Sequence, residues 1–150
     1  MDNPRSTASI AGHPIHPMLV TIPIACFVGT LLTDIAYWRT AEMTWANFSA
    51  WLLTVGVIIG ILAAIAGLTD FLGGRKIRDQ PTAWLHMAGN LVVLVLSFFN
   101  MLIHTRDAWT SVVPTGLILS ALVVIILIFT GWLGWGLVYR HHVGVADETV

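Results

Sequence analysis

The stretch Phe48–Phe71, FSAWLLTVGVIIGILAAIAGLTDF, decides the fold. Its 24 residues contain one charged side chain, Asp70, placed at the very end. A helix of about 20 apolar residues crosses a bilayer, so this segment reads as a membrane span. Three further stretches meet the same criterion: about Met18–Trp38, Trp84–Ile103 and Pro114–Tyr139. Backbone groups in hydrocarbon must be bonded within their own segment, so all four are expected as helices, and the alternation of barrel strands is absent. The rest of the chain agrees. Of 150 residues, 57% are hydrophobic and 10% charged, and mean hydropathy is +0.83. A soluble domain of this size has no core large enough to hide that much apolar surface. Seven basic against eight acidic residues leave a net charge of −1, which excludes a polybasic nucleic-acid surface. One cysteine, Cys26, excludes an intrachain disulfide.

The first span is too long for a signal-peptide core and ends in Tyr37-Trp38-Arg39, where a cleavage site would need small residues, so it is read as retained. The connections Thr40–Asn47, Gly73–Thr82 and Thr105–Val113 are short. The expected fold is an all-α, integral-membrane, up-down-up-down four-helix bundle, preceded by residues 1–17 and followed by an acidic tail, 146–150. Arg5, Arg75, Lys76, Arg78 and Arg140 fall on one side of the spans, and Arg39 and Arg106 on the other. Five against two puts both termini and the middle loop in the cytoplasm. Tyr37, Trp38, Trp45 and Trp109 are expected at the outer interface, and Trp84, Trp135 and Tyr139 at the inner one.

The polar residues inside the spans are patterned. Gly56, Gly60, Ala63, Gly67 and Asp70 form one smooth stripe on the second span, suited to close helix packing. His86, Asn90, Ser97, Asn100 and His104 fall within an arc of about 80° on the third, so they must face the bundle interior or a wet cavity. The first span carries His16, Pro23, Thr30 and Asp34 on a comparable face, and Asn100, His104 and Arg106 are the candidate partners of Asp34. Five of six histidines gather toward the inner boundary: His13 and His16 before the first span, His86 in the third, His141 and His142 after the fourth, with Asp70 at the same level. The prolines of Gly12-His13-Pro14-Ile15-His16-Pro17 stiffen the approach to the first span. Neutral imidazoles with a carboxylate suit zinc, iron or copper, and two imidazoles on facing helices suit haem b. The expectation is a metal site drawn from His13, His16, Asp70, His86 and His141, or haem held by His86 with His141 or His16. Gly131, Gly134 and Gly136 would give a flat ring room beside the fourth helix. No catalytic motif is present.

The segments GHPIHPMLVTIPI (12–24), TDFLGG (69–74) and GWGLVYRHHVGV (134–145) resemble a family of bacterial membrane proteins catalogued as domain of unknown function 2231. The resemblance runs from about Gly12 to Val145. It implies that the family's paired histidine-proline steps, acid and histidines correspond to His13, His16, Asp70, His86 and His141. His142 stands where the family pattern has glycine. Relatives joined to Rieske-type iron–sulfur domains imply an electron-transfer setting, with a quinone or a Rieske partner beside the lipid bilayer. The alternatives are a proton or small-solute conduit along His86–His104, which would call for a homo-oligomer, and a structural or accessory subunit.

Overall fold

A computed structural model describes residues 3–105 and 112–145. Two short strands, β1 (Ser9–Ile10) and β2 (His13–Pro14), pair antiparallel around a turn at Ala11 and Gly12, both with positive φ. Helices α1 (Ile15–Leu19), α2 (Thr21–Thr40), α3 (Met43–Gly73), α4 (Arg75–Arg78) and α5 (Pro81–His104) follow. A kinked turn over Val112–Gly116 then leads into α6 (Leu117–Tyr139). Four helical spans are long and apolar enough to cross a membrane: Ile15–Thr40, Met43–Gly73, Pro81–His104 and Val112–Tyr139. The chain is thus an all-α four-helix membrane bundle.

Local chemistry explains the breaks. Pro17 sits in the first turn of α1, where its missing N–H is not needed. Pro23 has no N–H for the Leu19 carbonyl, and α1 passes into α2 across Val20 at that step. Val113 is extended (φ −119°, ψ 125°), as a residue before proline prefers, and this kinks the start of the fourth span. Pro81 opens α5 as its first residue, a position that tolerates proline.

Several boundaries differ from those read in the sequence. The connection expected over Thr40–Asn47 is only Ala41-Glu42, because Ala41 adopts the left-handed conformation (φ 56°) and closes α2 abruptly. The second connection contains α4. Tyr37, expected at the interface, is 2% exposed and packs with Ala46 and Val112. Arg106, Trp109 and the tail 146–150 lie outside the described residues.

Neighbouring helices pack around a ring in the order α2, α3, α5, α6, which leaves α2 and α5 on one diagonal. The chain ends meet at one end of the bundle, where the Gly144 N–H donates to the Pro4 carbonyl at 2.8 Å. We call this the termini end, and the other the far end. Three apolar layers fill the axis. Phe71, Ile77, Ala83 and Leu137 close the termini end, and Tyr37, Ala46 and Val112 close the far end. Phe27, Leu53, Val57, Val93 and Val123 occupy the middle. The outside is a belt of exposed apolar side chains, including Trp51, Ile128 and Phe129, the surface that lipid requires.

Candidate functional site

Polar side chains collect at two stations on the bundle axis, and the mid-bundle layer lies between them. The stripe on α5 does face inward as its spacing requires: Ser97, Asn100 and His104 are buried, and His86 and Asn90 are half-buried. It is not a continuous polar line, however, because Val93 joins Phe27, Leu53, Val57 and Val123 between Asn90 and Ser97.

The station near the termini end is a pair of imidazoles. His16 Nδ1 lies 2.8 Å from the Ala63 carbonyl, and His86 Nδ1 lies 2.9 Å from the Thr130 carbonyl. A carbonyl only accepts, so each Nδ1 carries a hydrogen, and in the neutral ring Nε2 then keeps its lone pair. The two rings stand 6.0 Å apart between centroids, with planes at 86°. Asn90 donates to the His86 carbonyl at 2.8 Å, and its amide nitrogen rests 3.3 Å from His86 Nε2.

The same device holds both rings. A Cβ on Gly67 would fall 2.8 Å from His16 Nδ1, and one on Gly134 would fall 2.9 Å from the His86 ring. Each imidazole therefore rests on a glycine and bonds the carbonyl four residues earlier, Ala63 before Gly67 and Thr130 before Gly134. One helix turn supplies both the acceptor and the space. His16 docks on α3 and His86 on α6, so each two-helix hairpin positions its own imidazole.

The far station is a hydrogen-bonded cluster around Asp34, which is fully buried. Ser49 Oγ donates to Asp34 Oδ1 at 2.5 Å, and Ser120 Oγ donates to Oδ2 at 2.6 Å. His104 Nε2 lies 3.0 Å from Oδ1, while its Nδ1 donates to the Asn100 carbonyl at 2.9 Å. Asn100 Nδ2 donates to Ser120 Oγ at 2.8 Å, and Thr33 Oγ1 lies 2.7 Å from Ser49 Oγ. All four spans thus close on one carboxylate. Of the partners expected for Asp34, His104 bonds it directly and Asn100 does so through Ser120.

The constellation expected from the sequence divides. His16 and His86 meet, but the other three candidates are directed elsewhere. Asp70 Oδ1 accepts from Ser6 Oγ at 2.8 Å and from the Ala8 N–H at 2.7 Å, so it tethers the N-terminal segment. His13 is exposed on β2, and His141 lies half-buried beyond the end of α6. His142 is exposed with φ 51°. Among the described residues, no three His, Cys, Asp or Glu side chains gather closely enough to hold a metal ion. The room expected from glycine is also redistributed. Gly134 is filled by the His86 ring, and Gly131 and Gly136 have nothing within 4 Å of a built Cβ.

A family model described as a predicted membrane protein, DUF2231, matches residues 12–147. The chain belongs to this family. The match takes in both stations, so the paired imidazoles and the Asp34 cluster lie inside the family domain. No curated protein and no solved structure matches the chain.

Sequence reasoning missed the groups that orient the site. Ser49 and Ser120 look like ordinary small residues of a span, and the carbonyls of Ala63 and Thr130 have no side-chain signature. One signal was available. His16 precedes Asp34 by 18 residues and His86 precedes His104 by 18, and each pair marks the two stations on its own helix.

Proposed function

We propose that the protein holds one transition-metal ion or haem b iron between His16 and His86 and carries electrons at the membrane. The observation behind this reading is the matched pair of anchored imidazoles. A histidine that ligates a metal nearly always donates its other ring N–H to a carbonyl or carboxylate, which fixes its tautomer and direction. His16 and His86 both have that arrangement, which in the neutral ring leaves Nε2 as the lone-pair donor.

The separation fits a shared centre. A metal–nitrogen bond of about 2.0–2.1 Å on each side, with about 1.2 Å from nitrogen to ring centre, puts collinear imidazole centroids about 6.5 Å apart. The two rings stand at 6.0 Å. Two imidazoles without a third protein donor favour copper, or haem iron whose remaining ligands come from the porphyrin. A bare ion demands less room between the helices than a porphyrin. A porphyrin requires them to part, because the imidazoles themselves fill the space over Gly67 and Gly134. When bound, either centre supplies one-electron chemistry, with a quinone or a Rieske-type domain as the class of partner.

Arg5, Arg75, Lys76, Arg78 and Arg140 belong to the termini end, which supports placing that end in the cytoplasm of a bacterial inner membrane. The competing reading is a purely structural pair, in which carbonyl bonding and glycine contact are the whole role of each imidazole. Metal analysis and a visible spectrum of the full chain purified from membranes separate the two. The proposal expects about one equivalent of metal or haem. A folded, colourless protein that takes up neither copper nor haem when they are added overturns it.

A further inference from the structure

The N-terminal segment is tied down on both sides of Arg5. The Gly144 N–H donates to the Pro4 carbonyl, and Ser6 Oγ and the Ala8 N–H donate to Asp70 at the end of α3. Thr7 rests on Gly73, where a Cβ would meet Thr7 Cβ at 3.0 Å. Arg5 is therefore held beside the turn that carries α4. On α4 itself, polarity sorts the side chains. Ile77 is buried in the layer of Phe71, Ala83 and Leu137, which leaves Arg75 and Lys76 exposed. Arg78 is drawn back to the Leu72 carbonyl, to which its guanidinium donates at 2.6 Å.

A cleft of about 310 Å³ lies between the two pieces, lined by Asn3, Pro4, Arg5, Gly74, Arg75 and Lys76. Three of these carry cations, Asn3 adds an amide, and among the described residues none that lines the cleft is acidic. The acids closest in sequence to α4 are placed elsewhere. Asp70 is turned to Ser6 and Ala8, and Asp79 caps the far end of α4. Three like charges brought to one cleft from two parts of the chain repel each other, and an anion between them reverses that cost.

The depth of the cleft points to the source of that anion. Leu68 and Leu72 are exposed apolar side chains at the end of α3, and Gly74–Lys76 follow directly. Trp84 is exposed nearby, with its indole N–H donating to the Arg78 carbonyl at 3.0 Å. Leucine giving way to an amphipathic tryptophan marks the boundary between acyl chains and headgroups. Basic pockets at that level, at the end of a helix bundle, suit lipid headgroups. We propose that this cleft binds one phosphate group, supplied by an anionic phospholipid of the leaflet at the termini end.

Orientation in the membrane requires only a count of cations near the spans. It does not require Arg5 to be fixed against Arg75 and Lys76 by bonds at Pro4, Ser6 and Ala8. Asp70 is a positioning residue here, since it brings Arg5 to the cleft without lining it. The site shares no residue with His16 and His86, so it stands or falls independently of the metal proposal.

Native mass spectrometry of the full chain in neutral detergent, titrated with phosphatidylglycerol, phosphatidylcholine or glycerol phosphate, tests it. One phosphatidylglycerol should bind at least about 10-fold more tightly than phosphatidylcholine, whose choline offsets its phosphate. Arg75→Gln and Lys76→Gln should each weaken it about fivefold, and Asp70→Ala by a similar factor through release of Arg5. Arg140→Gln, at the same end of the bundle but outside the cleft, should leave binding unchanged. Glycerol phosphate bound as tightly as the lipid, and weakened by the same variants, supports the phosphate site with a soluble source. Binding of neither ester above the level of phosphatidylcholine overturns the proposal. So does a loss in Arg140→Gln as large as in Arg75→Gln, because charge alone would then account for the binding.

Discussion

His16 and His86 are 70 residues apart in the chain, yet their rings stand 6.0 Å apart at the bundle axis. Each is set by a two-helix hairpin in the same manner, through one carbonyl and one glycine a turn apart. Small residues and interhelical hydrogen bonds are both means by which membrane helices associate, so the device packs each hairpin as well as fixing the direction of its imidazole.

Gly67→Ala and Gly134→Ala are expected to destabilise the protein by about 1–3 kcal/mol, the usual cost of overpacking. Each new Cβ would meet an imidazole at 2.8–2.9 Å. Gly131→Ala and Gly136→Ala meet nothing within 4 Å and should be neutral, or stabilising by up to about 1 kcal/mol through helix propensity. Thermal unfolding of the four variants in one detergent checks the contrast.

Asp70 is a tether in this structure, so Asp70→Ala should release the N-terminal segment while the spans stay intact. Hydrogen exchange should speed up across residues 6–15, the region held by the Ser6 and Ala8 bonds. Loss of two hydrogen bonds to a carboxylate corresponds to about 1.5–3 kcal/mol each, confined to that segment. Exchange across α3 and α5 should be unchanged.

The far station predicts strong non-additivity. Asp34→Leu strands His104, and His104→Leu strands Asp34, so each single change should cost several kcal/mol, in the manner of a broken buried pair. The double variant should cost less than the sum of the two, with a coupling of about 1–3 kcal/mol. Unfolding free energies from a double-mutant cycle measure this directly.

Much of the architecture was legible because lipid imposes simple demands. Uninterrupted apolar runs gave four helices, and the phase of His86, Ser97, Asn100 and His104 gave their inward face. Helix ends were harder. Apolar length marks the hydrocarbon and not the last hydrogen bond, so α3 begins at Met43, five residues before Phe48. The site was half legible. Spacing shows which face of a helix a histidine occupies, and it placed His16 and His86 among five candidates with His13, Asp70 and His141. It does not show what lies opposite. Asp70 shares the level of the histidines but bonds Ser6 and Ala8, whose position depends on the chain folding back over 62–64 residues. Backbone carbonyls are also silent in sequence, so the anchoring by Ala63 and Thr130 emerges only in three dimensions. Gly134 reads as space for a ligand until the His86 ring is seen against it.

His141→Ala and His13→Ala should leave cofactor binding within about twofold of wild type, since neither residue reaches the imidazole pair. Asn90→Ala should leave it unchanged or strengthen it, because the Asn90 amide rests against the same His86 Nε2 lone pair that a metal would take. Equilibrium titration of the stripped protein with copper(I) reads both effects.

The most direct measurement is the same titration on His16→Ala and His86→Ala, each first shown to be folded by circular dichroism. Removing either imidazole should lower affinity by at least about 10-fold and abolish one-to-one binding. If both folded variants bind as wild type does, the pair is not a ligand site and the proposed electron-carrying role is wrong.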